Sequence, residues 1–516
     1  MSPIAPPLCS SPPTIFFTVN AELPPGAGRN EEECSLPGVL DEVPRGELLE
    51  ALDSPEVPGM PRRFRVGTLS YTLAGVFVLF FWLLWGDFCF TVMEAVIPAV
   101  LPLKLNSLGA PNWLLGLIVT TIPSCMTIVL NPVASFWSDR HRGPWGRRIP
   151  FLFTATPFIV LFLALLGFSE PIGRFLHRSV LAGLPQTTVI LLVIGVLMIC
   201  FQFFNMFVGS VYFYLFNDVV PKAYLGRFMA LFRAVSTLAG AGYSYFAFEY
   251  SVSHMQTVFL GAGLMYLIAF TLMCWRVKEG EYPPPPPHVD GGTGLLSSIR
   301  TYGRECFSHR LYWYFFLANS FYAMTWAVIP YQALQARSIG ISLGDYGRIL
   351  GLSSFGGAIL LIPAGVLVDR IHPLRVMIGG IVLMLLALPP WLIFIFFNVS
   401  PQHAMAIYIC IVGVTIPITV LYTASEFPMY MRLLDKERYG QFCSANAMLR
   451  SFFIIGSGVV SGAFLDFISR YTPNKDYAYR FVPCWLIFCF VGCLIFLLLL
   501  HREWQRRGGS KSYTPP

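Results

Sequence analysis

The sequence predicts an all-α, polytopic membrane protein of twelve transmembrane helices in two six-helix bundles. Three observations carry that prediction. Of 516 residues, 55% are hydrophobic and 12% charged, about half the charged share of a soluble domain. Apolar stretches near the ~20 residues needed to cross a bilayer recur twelve times. A motif that closes the second stretch returns at the end of the eighth.

The segments follow in order. Residues 1–58 hold ten acidic residues and two basic ones, with many prolines and no apolar periodicity. A disordered cytoplasmic tail over 1–66 is expected, without the basic-then-apolar order of a signal peptide. Spans are expected near 68–101, 112–138, 149–169, 187–217, 226–250 and 255–275, forming an N-terminal bundle over 67–276. Residues 277–310 contain the run Pro283 to Pro287 and then Gly291, Gly292 and Gly294, read as an extended cytoplasmic linker. Six more spans near 311–334, 346–368, 375–397, 403–427, 439–464 and 481–500 make a second bundle over 311–500. Residues 501–516 form a second cytoplasmic tail. Interior prolines such as Pro132, Pro363 and Pro417 are tolerated in membrane helices, where neighbours re-satisfy the freed backbone.

Lys and Arg set the orientation. With both termini in the cytoplasm, 23 of the 35 Lys and Arg residues fall on that face and eight in outer loops. The cysteines avoid the outer loops and lack zinc-type spacing, so neither a disulfide nor a metal site is expected. No nucleophile set, metal cluster or phosphate loop marks an enzyme, and no cofactor or nucleic-acid partner is expected.

The repeat follows the second span as Ser138-Asp139-Arg140-His141-Arg142-Gly143-Pro144-Trp145-Gly146-Arg147-Arg148. It returns after the eighth as Asp369-Arg370-Ile371-His372. Asp218, before Pro221, Gly226 and Arg227, is matched by Glu426 before Pro428 and Gly440. Parallel six-span repeats are the signature of the major facilitator architecture. A gate is therefore expected at the cytoplasmic face, built from Asp139, Arg140, Gly146, Arg147, Arg148, Asp218, Arg227, Asp369, Arg370 and Glu426.

The stretch Ser138 to Phe151 resembles the loop of the glycoside–pentoside–hexuronide:cation symporters, most of all their sucrose-type branch. That resemblance implies sugar transport by alternating access, usually coupled to a proton or sodium ion. Asp87-Phe88 on the first span resembles the Asp-Phe of the melibiose carriers, which implies a sugar-binding role for Asp87. The two sodium-site aspartates of those carriers appear here as Thr127 and Asn131, so no sodium site is carried over. The span-four arginine of the sucrose branch has no counterpart.

Acids and bases inside the membrane are functional candidates. Asp87 and Glu94 lie seven residues apart and share a helix face. Arg450, about 15 Å along the eleventh span, is expected to pair with one of them, and Arg233 to snorkel. Neutral partners for a sugar are sought first at Asn205, Tyr322, Trp326 and Gln332, and more widely at Gln202, Tyr212, Tyr214, Asn319, Tyr331, Tyr422 and Ser425. The expected function is a sugar or glycoside carrier coupled to a proton, acting as a monomer in the plasma membrane. A carrier of another small solute (organic anion, nucleoside or drug) and a non-transporting sensor remain alternatives.

Overall fold

The computed structural model describes residues 63–282, 306–435 and 439–515. The acidic segment 1–58, the proline run 283–287, Lys436 and Arg438 lie outside the described residues. Twelve long helical stretches, α1 to α12, follow one another. The first six are α1 Leu73–Ser107, α2 Asn112–Arg140, α3 Ile149–Gly167, α4 Gln186–Val219, α5 222–253 and α6 Met255–Arg276. The second six are α7 310–338, α8 Leu343–Arg370, α9 Pro373–Phe396, α10 Pro401–Leu433, α11 Tyr439–Ser469 and α12 Lys475–Arg506. Ten are long and apolar enough to cross a membrane on length and composition. The other two, α5 and α7, are divided by non-α turns, a π segment at Tyr243–Ala247 and a 3-10 segment at Met324–Tyr331.

Local chemistry sets the helix starts. Thr72 Oγ1 accepts the Gly75 N–H at 3.2 Å and opens α1. Ser342 Oγ accepts the Asp345 N–H at 3.1 Å and opens α8. Pro373 and Pro401 stand at the first positions of α9 and α10, where proline's missing N–H costs nothing. Wide apolar faces remain exposed, among them Phe77, Phe246, Ile362 and Phe396. In a bilayer those faces meet lipid, so close helix approach depends on small residues instead.

Two boundaries differ from the sequence reading. The tail expected to run to residue 66 ends in an antiparallel hairpin, β1 Arg63–Val66 and β2 Leu69–Thr72. Its alternation half-buries Phe64, Val66, Leu69 and Tyr71. Phe64 meets the Tyr224 ring edge-on at 4.9 Å. Gly67 takes φ +53° in the turn, a conformation that glycine accepts without cost. The linker expected from 277 likewise starts as an ordered strap over 277–282. Thr68 Oγ1 accepts the Glu281 N–H at 2.8 Å, which ties hairpin to strap. A short helix, Ser169–Ser179, also stands in a predicted loop; Gly173 lets it lie directly on Ile190 of α4.

The face carrying the Arg-rich turn after α2 is termed the basic face, and the opposite one the far face.

Candidate functional site

On the basic face, the turn after α2 builds an ion network. Arg148 is buried, 4% exposed. Its guanidinium binds Asp139 and Ser138 Oγ, and reaches Asp218 Oδ2 at 3.1 Å. Arg147 binds Asp218 with two N–H donors, the Nε one at 2.9 Å, and lies 3.9 Å from Asp139. The end of α4 therefore neutralises both arginines, as a buried charge requires.

Glu279, absent from the sequence candidates, completes this network. Its carboxylate accepts the backbone N–H groups of Arg147 at 2.9 Å, Arg148 at 2.8 Å and Ile149 at 2.6 Å. Those are unpaired donors at the start of α3. Gly146 has φ +96°, and a β-carbon there would lie 2.5 Å from Glu279 Cβ. Tyr282 donates to Glu279 Oε2 at 3.1 Å, and the Arg147 guanidinium lies 4.2 Å from the Tyr282 ring. Burial first, then the Glu279 and Asp218 carboxylates, push the Tyr282 phenol upward, so it stays a donor.

Arg227, Asp369, Arg370 and Glu426 are gate candidates outside this network. Arg227 is exposed and lies over Tyr224, and Arg140 lies over Phe136. Asp369 and Arg370 are exposed and form no ion pair among the described residues.

Within the spans, Asp87 is 2% exposed and accepts from Ser236 Oγ of α5 at 2.7 Å. Glu94 is exposed in mid-helix, yet it touches Asn205 of α4, whose Nδ2 donates at 3.3 Å. Asn205 is buried, so Glu94 faces an accessible space inside the protein rather than lipid. Asn205 Nδ2 also approaches Gln202 at 3.5 Å, and Asn205 Oδ1 is buried without a partner. Thr127 and Asn131 are engaged with α4, through Met206 Sδ at 3.0 Å and Ser210 Oγ at 2.5 Å.

The expected pairing of Arg450 with Asp87 or Glu94 is not found. Arg450 Nη1 binds Glu426 Oε1 of its own bundle at 2.8 Å, and its guanidinium lies 4.3 Å from the Trp326 ring. Helix depth gave the height of Arg450, but its direction is toward α10. Glu426 thus belongs with Arg450 and Trp326 rather than with the basic-face turn. Tyr430 donates to Glu426 at 3.5 Å, and Asn319 and Asn446 both donate to Tyr430. Tyr322 stacks on Tyr422 at 3.8 Å between centroids and is buried. Gln332 is half-buried, one residue past Tyr331, which donates to Asn112 O across the bundles at 2.8 Å. Trp326, Arg450 and Glu426 therefore form one cluster, and Tyr322 lies within electrostatic reach of its Arg450 and Glu426.

The family model described as Major Facilitator Superfamily matches residues 83–459. No curated protein matches the chain by sequence. Among solved structures, the chain is similar to a bacterial homolog of the human lysosomal transporter Spinster, inward-facing and unoccupied. The identity is 14%, covering 86% of this chain and 99% of that one, with TM-score 0.62. It is similar to the nucleoside transporter NupG at 13% identity, covering 83% and 99%, with TM-score 0.56. It is also similar to a D-xylose–proton symporter at 12% identity, covering 82% and 97%, with TM-score 0.57. The helical bundles, the repeated turn and a family match over most of the chain agree: this protein belongs to the major facilitator superfamily.

Proposed function

We propose that the protein is a proton-coupled carrier of a sugar or glycoside, working by alternating access with its basic face in the cytoplasm. One observation carries this reading: Glu94 stands exposed in the middle of α1 without a cationic partner among the described residues, hydrogen-bonded to a buried amide. An uncompensated carboxylate inside a membrane is costly. A proton removes that cost, and a proton that binds from one side and leaves to the other couples the gradient to transport. Asn205 Oδ1, buried without a partner, supplies an acceptor for a sugar hydroxyl. Trp326 is 44% exposed and offers the flat apolar face on which sugar rings pack. Asp87, buried against Ser236, is assigned to positioning α1 on α5. The likeness of Ser138 to Phe151 to the sucrose-type symporters supports the same solute class.

The test is uptake of labelled sugars into proteoliposomes, with and without an inward proton gradient. Gradient-stimulated uptake of a sugar that is abolished by Glu94→Gln supports the proposal. Uptake that ignores the gradient removes the proton, and no uptake of any sugar removes the solute class.

A further inference from the structure

The far face holds the two bundles together along two seams of the same construction. Where α2 meets α11, glycines bring the backbones into contact: a β-carbon at Gly116 would collide with the Gly458 carbonyl oxygen, and one at Gly462 with Asn112. Where α5 meets α8, a β-carbon at Gly347 would lie 2.6 Å from the Ser244 carbonyl oxygen, and one at Gly351 2.7 Å from that of Ala241.

Each seam ends at a carboxylate set against the start of a helix in the opposite bundle. α2 follows Pro111, which has no side chain able to cap it. Asp466 of α11 accepts the N–H groups of Asn112 and Trp113 instead, both at 2.9 Å. At the other seam, Glu249 of α5 presses on Gly344, where a β-carbon would strike its carboxylate. Gly344 is the second residue of α8, and Ser342 Oγ serves only the third, Asp345. A helix start carries unpaired N–H groups and a partial positive charge, so both carboxylates sit where an anion is favoured.

We propose that Asp466 and Glu249 are paired latches of the far gate, Asp466 capping α2 through two hydrogen bonds and Glu249 lying against the start of α8. Each acid and the helix it meets lie on different bundles, so both contacts are lost whenever the far ends separate. Each acid therefore weights the equilibrium toward the far-closed state, and solute and coupling ion must overcome both latches to open it. The inference takes from the transport reading only that the far ends separate. No solute enters its test, so a failed sugar panel leaves it standing.

The test is single-molecule FRET on the full chain in nanodiscs, with dyes attached through unnatural amino acids at exposed Ser179 and Tyr471, one on each bundle. Asp466→Asn and Glu249→Gln should each lower the far-closed to far-open ratio about fivefold, and together about 25-fold. Asp476→Asn is the control. Asp476 is an exposed acid on the same face whose partner, Arg337 at 3.3 Å, belongs to its own bundle, and the ratio should stay within about twofold. If Asp466→Asn does not fold, the exposed Glu249→Gln carries the same test alone. Unchanged ratios in the folded variants, or an equal shift from Asp476→Asn, would overturn the proposal.

Discussion

The two bundles carry the same landmarks and use them differently. Both place Asp-Arg at the end of their second helix and an acid near the end of their fourth. In the first bundle these converge: Asp139 and Asp218 hold Arg147 and Arg148, and Glu279 pins the backbone behind them. In the second they part. Asp369 and Arg370 stand exposed, while Glu426 turns to Arg450 and Trp326. A repeated motif thus preserves position, and the charges that other helices present decide what each copy does. The first bundle has spent its charges on a rigid basic-face turn, and the second has drawn its helix-four acid into a polar cluster.

The largest break in this contrast should come from Asp218→Asn. It leaves Arg147 and the buried Arg148 with only Asp139, which is half exposed, as a carboxylate partner. Removing one member of a buried ionic cluster costs about 3–5 kcal/mol. The expected outcome is a large drop in apparent melting temperature in detergent, measured by fluorescence-detected size exclusion. An unshifted melting curve would mean that the network adds nothing to the fold.

Gly146→Val should cost somewhat less, about 2 kcal/mol, because it forces a β-branched residue to φ +96°. It also drives a side chain into Glu279, so proteolysis of the segment around 279–282 should accelerate. Glu279→Gln, which keeps the shape and removes the charge, should cost about 1–2 kcal/mol. If the two variants rank the other way, the carboxylate rather than the turn is the stronger restraint.

These residues also mark how far the sequence could be read. Asp139, Arg147, Arg148 and Asp218 were legible because motif spacing places them at helix ends on one face. Glu279 was not, since what it binds is backbone N–H groups, which leave no complementary residue to notice. Twelve spans were legible from hydropathy, which reports burial in lipid. The hairpin at 63–72 was not, because its two strands are four residues each and are held by contacts to α5 and the strap. For Arg450, counting turns gave its depth but not its partner. Within a bundle of six helices, direction depends on neighbours that sequence distance does not rank.

The Arg450–Glu426 pair sharpens the comparison further. Both side chains are mostly shielded, at 18% and 16% exposure. In a double-mutant cycle with Arg450→Gln and Glu426→Gln, the coupling should be about 1–2 kcal/mol. The double variant should be more stable than the sum of the single losses, because no unpaired charge remains. A cycle of Arg450→Gln with Asp87→Asn should show coupling below about 0.5 kcal/mol. Coupling of equal size in both cycles would restore the helix-one acid as the partner of Arg450.

The smallest effect should be that of Asp369→Asn, and it is the one that isolates the difference between the copies. Asp369 occupies the same place in its bundle as Asp139, so an argument from the motif alone predicts losses of similar kind for the two. The geometry predicts otherwise: Asp139 touches both Arg147 and Arg148, whereas Asp369 is exposed and forms no ion pair among the described residues. Removing a solvated charge costs within about 0.5 kcal/mol, so the melting curve of Asp369→Asn should overlay that of the parent. Asp139→Asn should shift it downward. If the two variants lose stability equally, the second copy is engaged in a network like the first, and the division of labour between the bundles fails.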